Sequence, residues 1–138
     1  MKIHSTNYKD TFIQVADDSP AKSGETPPIK GAEKSVANIH FELINANPYK
    51  YTSDDVVFQT YAIKKDLNKD ELETEREKFF SKGQPCLRAS PLTKRYGWGV
   101  HNNSHGKVAI YGIDSNEYSE LSTDKTLEKV KAMRSKRA

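Results

Sequence analysis

The chain has 138 residues, 35% of them apolar and 30% charged, with a formal net charge of +3 and one cysteine. That length supports one domain with its own core, and a lone cysteine excludes an internal disulfide, a usage that fits a reducing compartment. The opening MKIHSTNYKD holds no apolar leader and no run approaches the roughly 18 apolar residues of a membrane span, so a soluble, cytoplasmic protein with no membrane partner is expected.

In chain order, residues 12–16 (FIQVA) are short and β-prone and predict a first strand. Residues 17–30 carry Pro20, Gly24, Pro27 and Pro28 with little apolar content, and predict a long loop, either a flap or a simple connection. From Gly31 to Asn45 a helix is expected, because Val36, Ile39, Leu43 and Ala46 recur at three- and four-residue intervals. Pro48 ends it.

Ser53 is the expected cap of the next helix, with Asp54 and Asp55 where the helix dipole favours anions. Its body, VVFQTYAI, is β-branched and aromatic enough for a strand. The acidic start decides for a helix over residues 54–65. Asn68 and Glu71 have capping-box spacing, and Leu72, Phe79 and Phe80 supply the apolar face of a third helix that stops at Gly83 and Pro85.

Residues 86–89 predict a short strand and residues 91–95 a turn or single helical turn. The runs 96–102 and 107–113, joined through Asn103 and Gly106, predict a β-hairpin. The second arm is apolar on both faces, as a central strand would be. Asp114 or Ser115 is expected to cap a short helix bearing Tyr118 and Leu121. A basic C-terminal helix is expected over residues 123–138, with Leu127, Val130 and Met133 as a thin stripe. The sum is a single α+β domain over residues 1–138: a small, mainly antiparallel sheet of about three to four strands against about four to five helices.

Charge is segregated along the chain. Residues 66–80 hold six acids against three bases, whereas residues 82–107 hold Lys82, Arg88, Lys94, Arg95 and Lys107 with no acid at all. Residues 125–138 add six bases against Glu128 alone. Such segregation makes local positive fields that the net charge conceals.

Within the acid-free segment, Arg88, Lys94, Arg95, Tyr96 and Trp98 are the candidate ligand-binding residues. Guanidinium groups grip phosphate or carboxylate, and aromatic rings stack on planar groups. The expected function is a small binding domain for an anionic partner, a phosphorylated small molecule or nucleic acid. One alternative is an enzyme on an anionic substrate, with Arg88 and Arg95 as clamps and a carboxylate or His101 as acid–base group. Another is an interaction or oligomerisation module using Tyr49, Tyr51, Tyr96 and Trp98.

Other candidates lead elsewhere. Cys86 lacks both the arginine six residues on that a phosphatase loop requires (the position is Leu92) and a second redox cysteine, so a buried structural thiol is expected. His101 and His105 flank a hairpin loop with no third ligand nearby, and no metal site or cofactor is expected. His40 lies beside the apolar stripe of its helix, as a packing residue would. The glycines around Trp98 do not continue into a dinucleotide fingerprint and predict close backbone approach instead.

The block FFSKGQPCLRASPLTKRYGWG, together with HSTNYKDTFIQVA, PPIKG, PYKYTSDDV and KAMRSKR, resembles an uncharacterised family of small bacterial proteins catalogued only as a domain of unknown function. The resemblance implies a single bacterial domain. It implies no activity, cofactor or catalytic residue.

Overall fold

A computed structural model describes residues 4–134. Four strands, β1 Thr11–Gln14, β2 Trp98–Asn102, β3 Val108–Gly112 and β4 Glu128–Lys131, form one sheet in the order β3-β2-β1-β4. β1–β2 and β2–β3 pair antiparallel, and β1–β4 pairs parallel. The α-helices among the described residues are α1 Val36–Asn45, α2 Ser53–Lys65, α3 Leu72–Phe80, α4 Pro91–Lys94 and α5 Asn116–Thr123. This is the expected α+β class with a mostly antiparallel sheet.

Caps explain where the first helices start. In α1 the Ser35 hydroxyl accepts the Asn38 N–H while Asn38 Oδ1 accepts the Ser35 N–H, a reciprocal capping box. In α2 the cap is Thr52, one residue before the expected Ser53. Thr52 Oγ1 accepts the Asp55 N–H and Asp55 Oδ2 accepts the Thr52 N–H, both at 3.1 Å. Ser53 is buried and its hydroxyl meets that of Thr6 at 2.8 Å. The acidic start therefore settles the helix–strand ambiguity of α2. Asp54 also accepts the Ser5 hydroxyl and the Thr6 N–H, which ties the N-terminal segment to this helix end.

The sheet is covered on both faces. Ile13, Val100 and Ile110 align across three strands on one face and pack with Ile44, Val56, Leu87 and Leu92. Phe12 aligns with His101 and Ala109 on the other face, where α5 lays Tyr118 edge-on to Phe12 at 5.0 Å. The Tyr118 hydroxyl accepts the Val15 N–H at 2.9 Å. Gly99 has no room for a side chain, since a Cβ would stand 2.5 Å from Phe12 and 2.7 Å from Tyr118. A satellite cluster of Phe58, Ala62 and Phe80 joins α2 to α3.

Three sequence expectations are corrected. β3 is an edge strand rather than a central one. Its outer side pairs with the connector before α2, where Val108 O accepts the Tyr49 N–H and the Val108 N–H reaches Tyr51 O, both at 2.8 Å. Covering the edge this way lets both faces of β3 be apolar.

Residues 87–89 form a 3₁₀ turn, not a strand, with local bonds from the Ala89 and Ser90 N–H groups to Cys86 and Leu87 carbonyls. The expected C-terminal helix is the strand β4 over its described part, and residues 135–138 lie outside the described residues. The stripe Leu127–Val130–Met133 is helical only in spacing: Val130 pairs with Ile13, and Met133 is 52% exposed. Closing the open edge of β1 satisfies a row of backbone groups that so thin a helix would leave unpaired.

The loop over 17–30 contains no helix or strand but is held at several points. The Asn38 amide donates to Pro27 O, the Trp98 indole N–H to Glu25 O, and the Glu25 N–H to Tyr96 O. Gly97, at φ 78°, faces Ser23 so closely that no side chain fits, as the paired glycines predict. Among the described residues no helix is long and apolar enough to cross a membrane.

Candidate anion-binding groove

The groove is built where α4 meets the start of α1. Ser90 caps α4, Pro91 fills its first position and the buried Leu92 and Thr93 fix it to the core. Thr93 Oγ1 donates to Leu87 O at 2.8 Å, and its carbonyl accepts the Ala16 N–H. Anchored so, the four-residue helix ends with Lys94, Arg95 and Tyr96 facing Ser35, Val36 and Ala37 of α1 across a groove of about 360 Å³.

The electrostatics of this groove are one-sided. No acid stands in the first turn of α1, and the capping box leaves the Val36 and Ala37 N–H groups outside the helical ladder. No carboxylate lines the groove. Among the described residues, neither Lys94 nor Arg95 makes an ion pair or side-chain hydrogen bond; the ion pairs present are Lys34–Glu42, Arg76–Asp55, Lys78–Glu75 and Lys131–Asp17. Two cations without acidic partners among the described residues and the first turn of α1 therefore converge on one opening.

A second cavity of about 260 Å³ adjoins the groove, and Val36, Ala89 and Pro91 line both. Its walls are mostly apolar, from Val57, Tyr61, Phe79 and Pro85, with Cys86 and His40 among them. His40 is 6% exposed, and its Nδ1 lies 2.8 Å from the Ser90 hydroxyl. Burial pushes its pKa down to about 4, so the ring is neutral at pH 7. The expectation of a packing histidine holds for burial and for Nδ1, while Nε2 makes no hydrogen bond.

The structure brings together three of the five expected binding residues. Arg88 is turned away, with its Nε donating to Lys131 O at 2.7 Å and its carbonyl accepting the Met133 N–H. It ties the 3₁₀ turn to the end of β4. Trp98 packs on Phe41 at 5.5 Å between ring centres and bonds to Glu25 O, a clamp on the 17–30 loop rather than an open stacking surface. Cys86 is half-buried, not fully buried, with Sγ 3.6 Å from the Tyr8 hydroxyl.

A second polar cluster escaped the sequence reading. His101 lies within β2, half-buried, and not in the exposed loop with His105. Its Nδ1 is 2.8 Å from the Tyr49 hydroxyl, which is 2.8 Å from that of Tyr111. Burial first, and Tyr111 second, raise the Tyr49 pKa, and burial lowers that of His101. Tyr49 sits at φ 60°, a conformation rare for a bulky residue. The hydroxyls and His101 border a cleft of about 200 Å³ with Glu117, Glu120 and Asp124. Positions 49, 101 and 111 share no periodicity, so only the fold unites them. Among the described residues no group of three or more His, Cys, Asp or Glu could hold a metal ion.

Fold and groove together define a small α+β domain with a cationic opening among its described residues. Over residues 3–138 the chain matches the family of unknown function DUF6157, and it belongs to that family. No curated protein and no solved structure matches it.

Proposed function

We propose that the chain is a binding domain for an anionic small molecule, with a phosphorylated compound as the class its donors suit best. The observation that carries this reading is the convergence on one groove of Lys94 and Arg95, both without acidic partners among the described residues, with Val36 and Ala37 of the first turn of α1. Lysine as a point charge, arginine as a fork and helix amides are the usual donors to phosphate oxygens. Tyr96 on the wall offers a flat face to a ring.

The groove is of small-molecule size. The nucleic-acid reading has less to rest on, because Arg88 is committed to a backbone carbonyl and the C-terminal bases begin on a strand rather than a helix. The enzyme reading loses its acid–base group here, since no carboxylate lines the groove and His101 is bonded to Tyr49. The interaction-module reading needs exposed rings, whereas Tyr49, Tyr51, Tyr96 and Trp98 are all half-buried. We place the protein in a bacterial cytoplasm, a setting supported by its single unpaired cysteine.

A thermal-shift screen against nucleotides, sugar phosphates and short oligonucleotides tests the reading. A ligand that binds only the folded form raises the midpoint by mass action. The expected result is a shift with a small phosphorylated compound that Lys94→Ala and Arg95→Ala remove. A shift with oligonucleotides alone, or with none of these anions, overturns it.

A further inference from the structure

We infer that the ligand is amphiphilic: its anionic head sits between Lys94, Arg95 and the start of α1, while an apolar ring or short chain fills the adjoining cavity over His40. This rests on the anion-binding reading and adds what the rest of the ligand must be. The groove and the cavity adjoin, with Val36, Ala89 and Pro91 lining both. A compound anchored at the cationic end has the apolar end as its neighbour. An inorganic ion leaves that end unused.

His40 gives the cavity a buried polar point, alongside Thr60, Lys64, Gln84 and Ser90. The ring is 6% exposed and lines the cavity, yet among the described residues Nε2 has no partner, and it is not sealed off from solvent. Nε2 is therefore open to a ligand acceptor as well as to water.

The proton on Nε2 follows from Ser90. Its Oγ accepts the Leu92 N–H, and among the described residues Nδ1 of His40 is the acceptor within reach of its hydroxyl proton. The hydroxyl therefore donates to Nδ1, and the neutral ring carries its proton on Nε2. The cavity thus offers the Nε2–H donor, with Lys64 and Gln84 also on its mostly apolar walls. The structure assigns to the ligand an anionic group, an apolar body and an acceptor on that body, such as a carbonyl or ether oxygen.

Calorimetric titration at fixed ionic strength with three probes tests this: inorganic phosphate, phenyl phosphate and 4-acetylphenyl phosphate. Phenyl phosphate is expected to bind about tenfold or more tighter than phosphate, and the acetyl compound tighter again. Val57→Phe, which fills the cavity, should remove the preference and leave phosphate binding unchanged. Cys86→Leu, at a residue that lines the cavity and not the groove, should do the same if the first variant folds poorly. Lys94→Ala should weaken all three. The acetyl probe, and not phosphate, should shift the His40 ring nitrogen resonances. Equal affinity for the three probes with Lys94-dependent phosphate binding overturns the amphiphile while sparing the anion groove. No binding by any probe overturns both.

Discussion

The cationic groove and the Tyr49–His101–Tyr111 cluster hold their polar atoms in opposite ways. In the cluster each group answers another: two hydroxyls and a ring nitrogen form a chain of 2.8 Å bonds behind the sheet. In the groove the charges answer nothing, because Lys94 and Arg95 face an opening with no acid on its walls. Paired polar groups contribute to the fold, whereas neighbouring cations without acidic partners add repulsion and no pairing energy. Substitution should therefore separate the two regions by what each loses, stability or binding.

The largest stability effect is expected at the cavity beside the groove and depends on pH. His40 has a folded-state pKa of about 4 against an ordinary value near 6.5, so the unfolded chain takes up the proton first. Its contribution is complete above about pH 6.5 and is lost as pH falls toward 4, on the order of 3 kcal/mol. No carboxylate lines the cavity to hold the imidazolium, and Lys64 there opposes it. Urea unfolding at pH 7 and 4.5 should show a smaller acid loss for His40→Gln than for the wild type. Equal losses would mean that the ring protonates freely in the folded state.

Next comes the cluster. Tyr49→Phe removes the hydroxyl that joins His101 to Tyr111 and should cost about 1–2 kcal/mol in urea unfolding, with phosphate binding untouched. A loss of phosphate binding in this variant would erase the division between the regions.

The smallest stability effects belong to the groove itself. Lys94→Ala and Arg95→Ala should change unfolding free energy by no more than about 0.5 kcal/mol, or raise it slightly as repulsion falls. A cost of about 2 kcal/mol would show that these cations support the fold rather than wait for a ligand.

The same contrast explains what could be read from the chain. Lys94, Arg95 and Tyr96 are consecutive, and a helical turn was expected over residues 91–95, so the closeness of these three was legible. The hairpin and the helices α1 to α3 were legible for the same local reason, through turn residues, caps and stripes. Whatever depended on distant partners was not. His40 gains its meaning from Ser90, fifty positions away, and Tyr49 from positions 101 and 111.

Arg88 resembles Arg95 in sequence context, yet it is committed to the Lys131 carbonyl because the chain end joins the sheet there. That same joining turned an expected helix into β4. Trp98 was half-legible: its flanking glycines pointed to close approach, and the 17–30 loop is what approaches.

The two arginines also give the most direct test. Phosphate titration by calorimetry, with Arg88→Ala and Arg95→Ala compared at equal ionic strength, separates the groove from the acid-free segment as a whole. The prediction is saturable binding retained in Arg88→Ala and lost in Arg95→Ala. Binding lost in Arg88→Ala and retained in Arg95→Ala would contradict it.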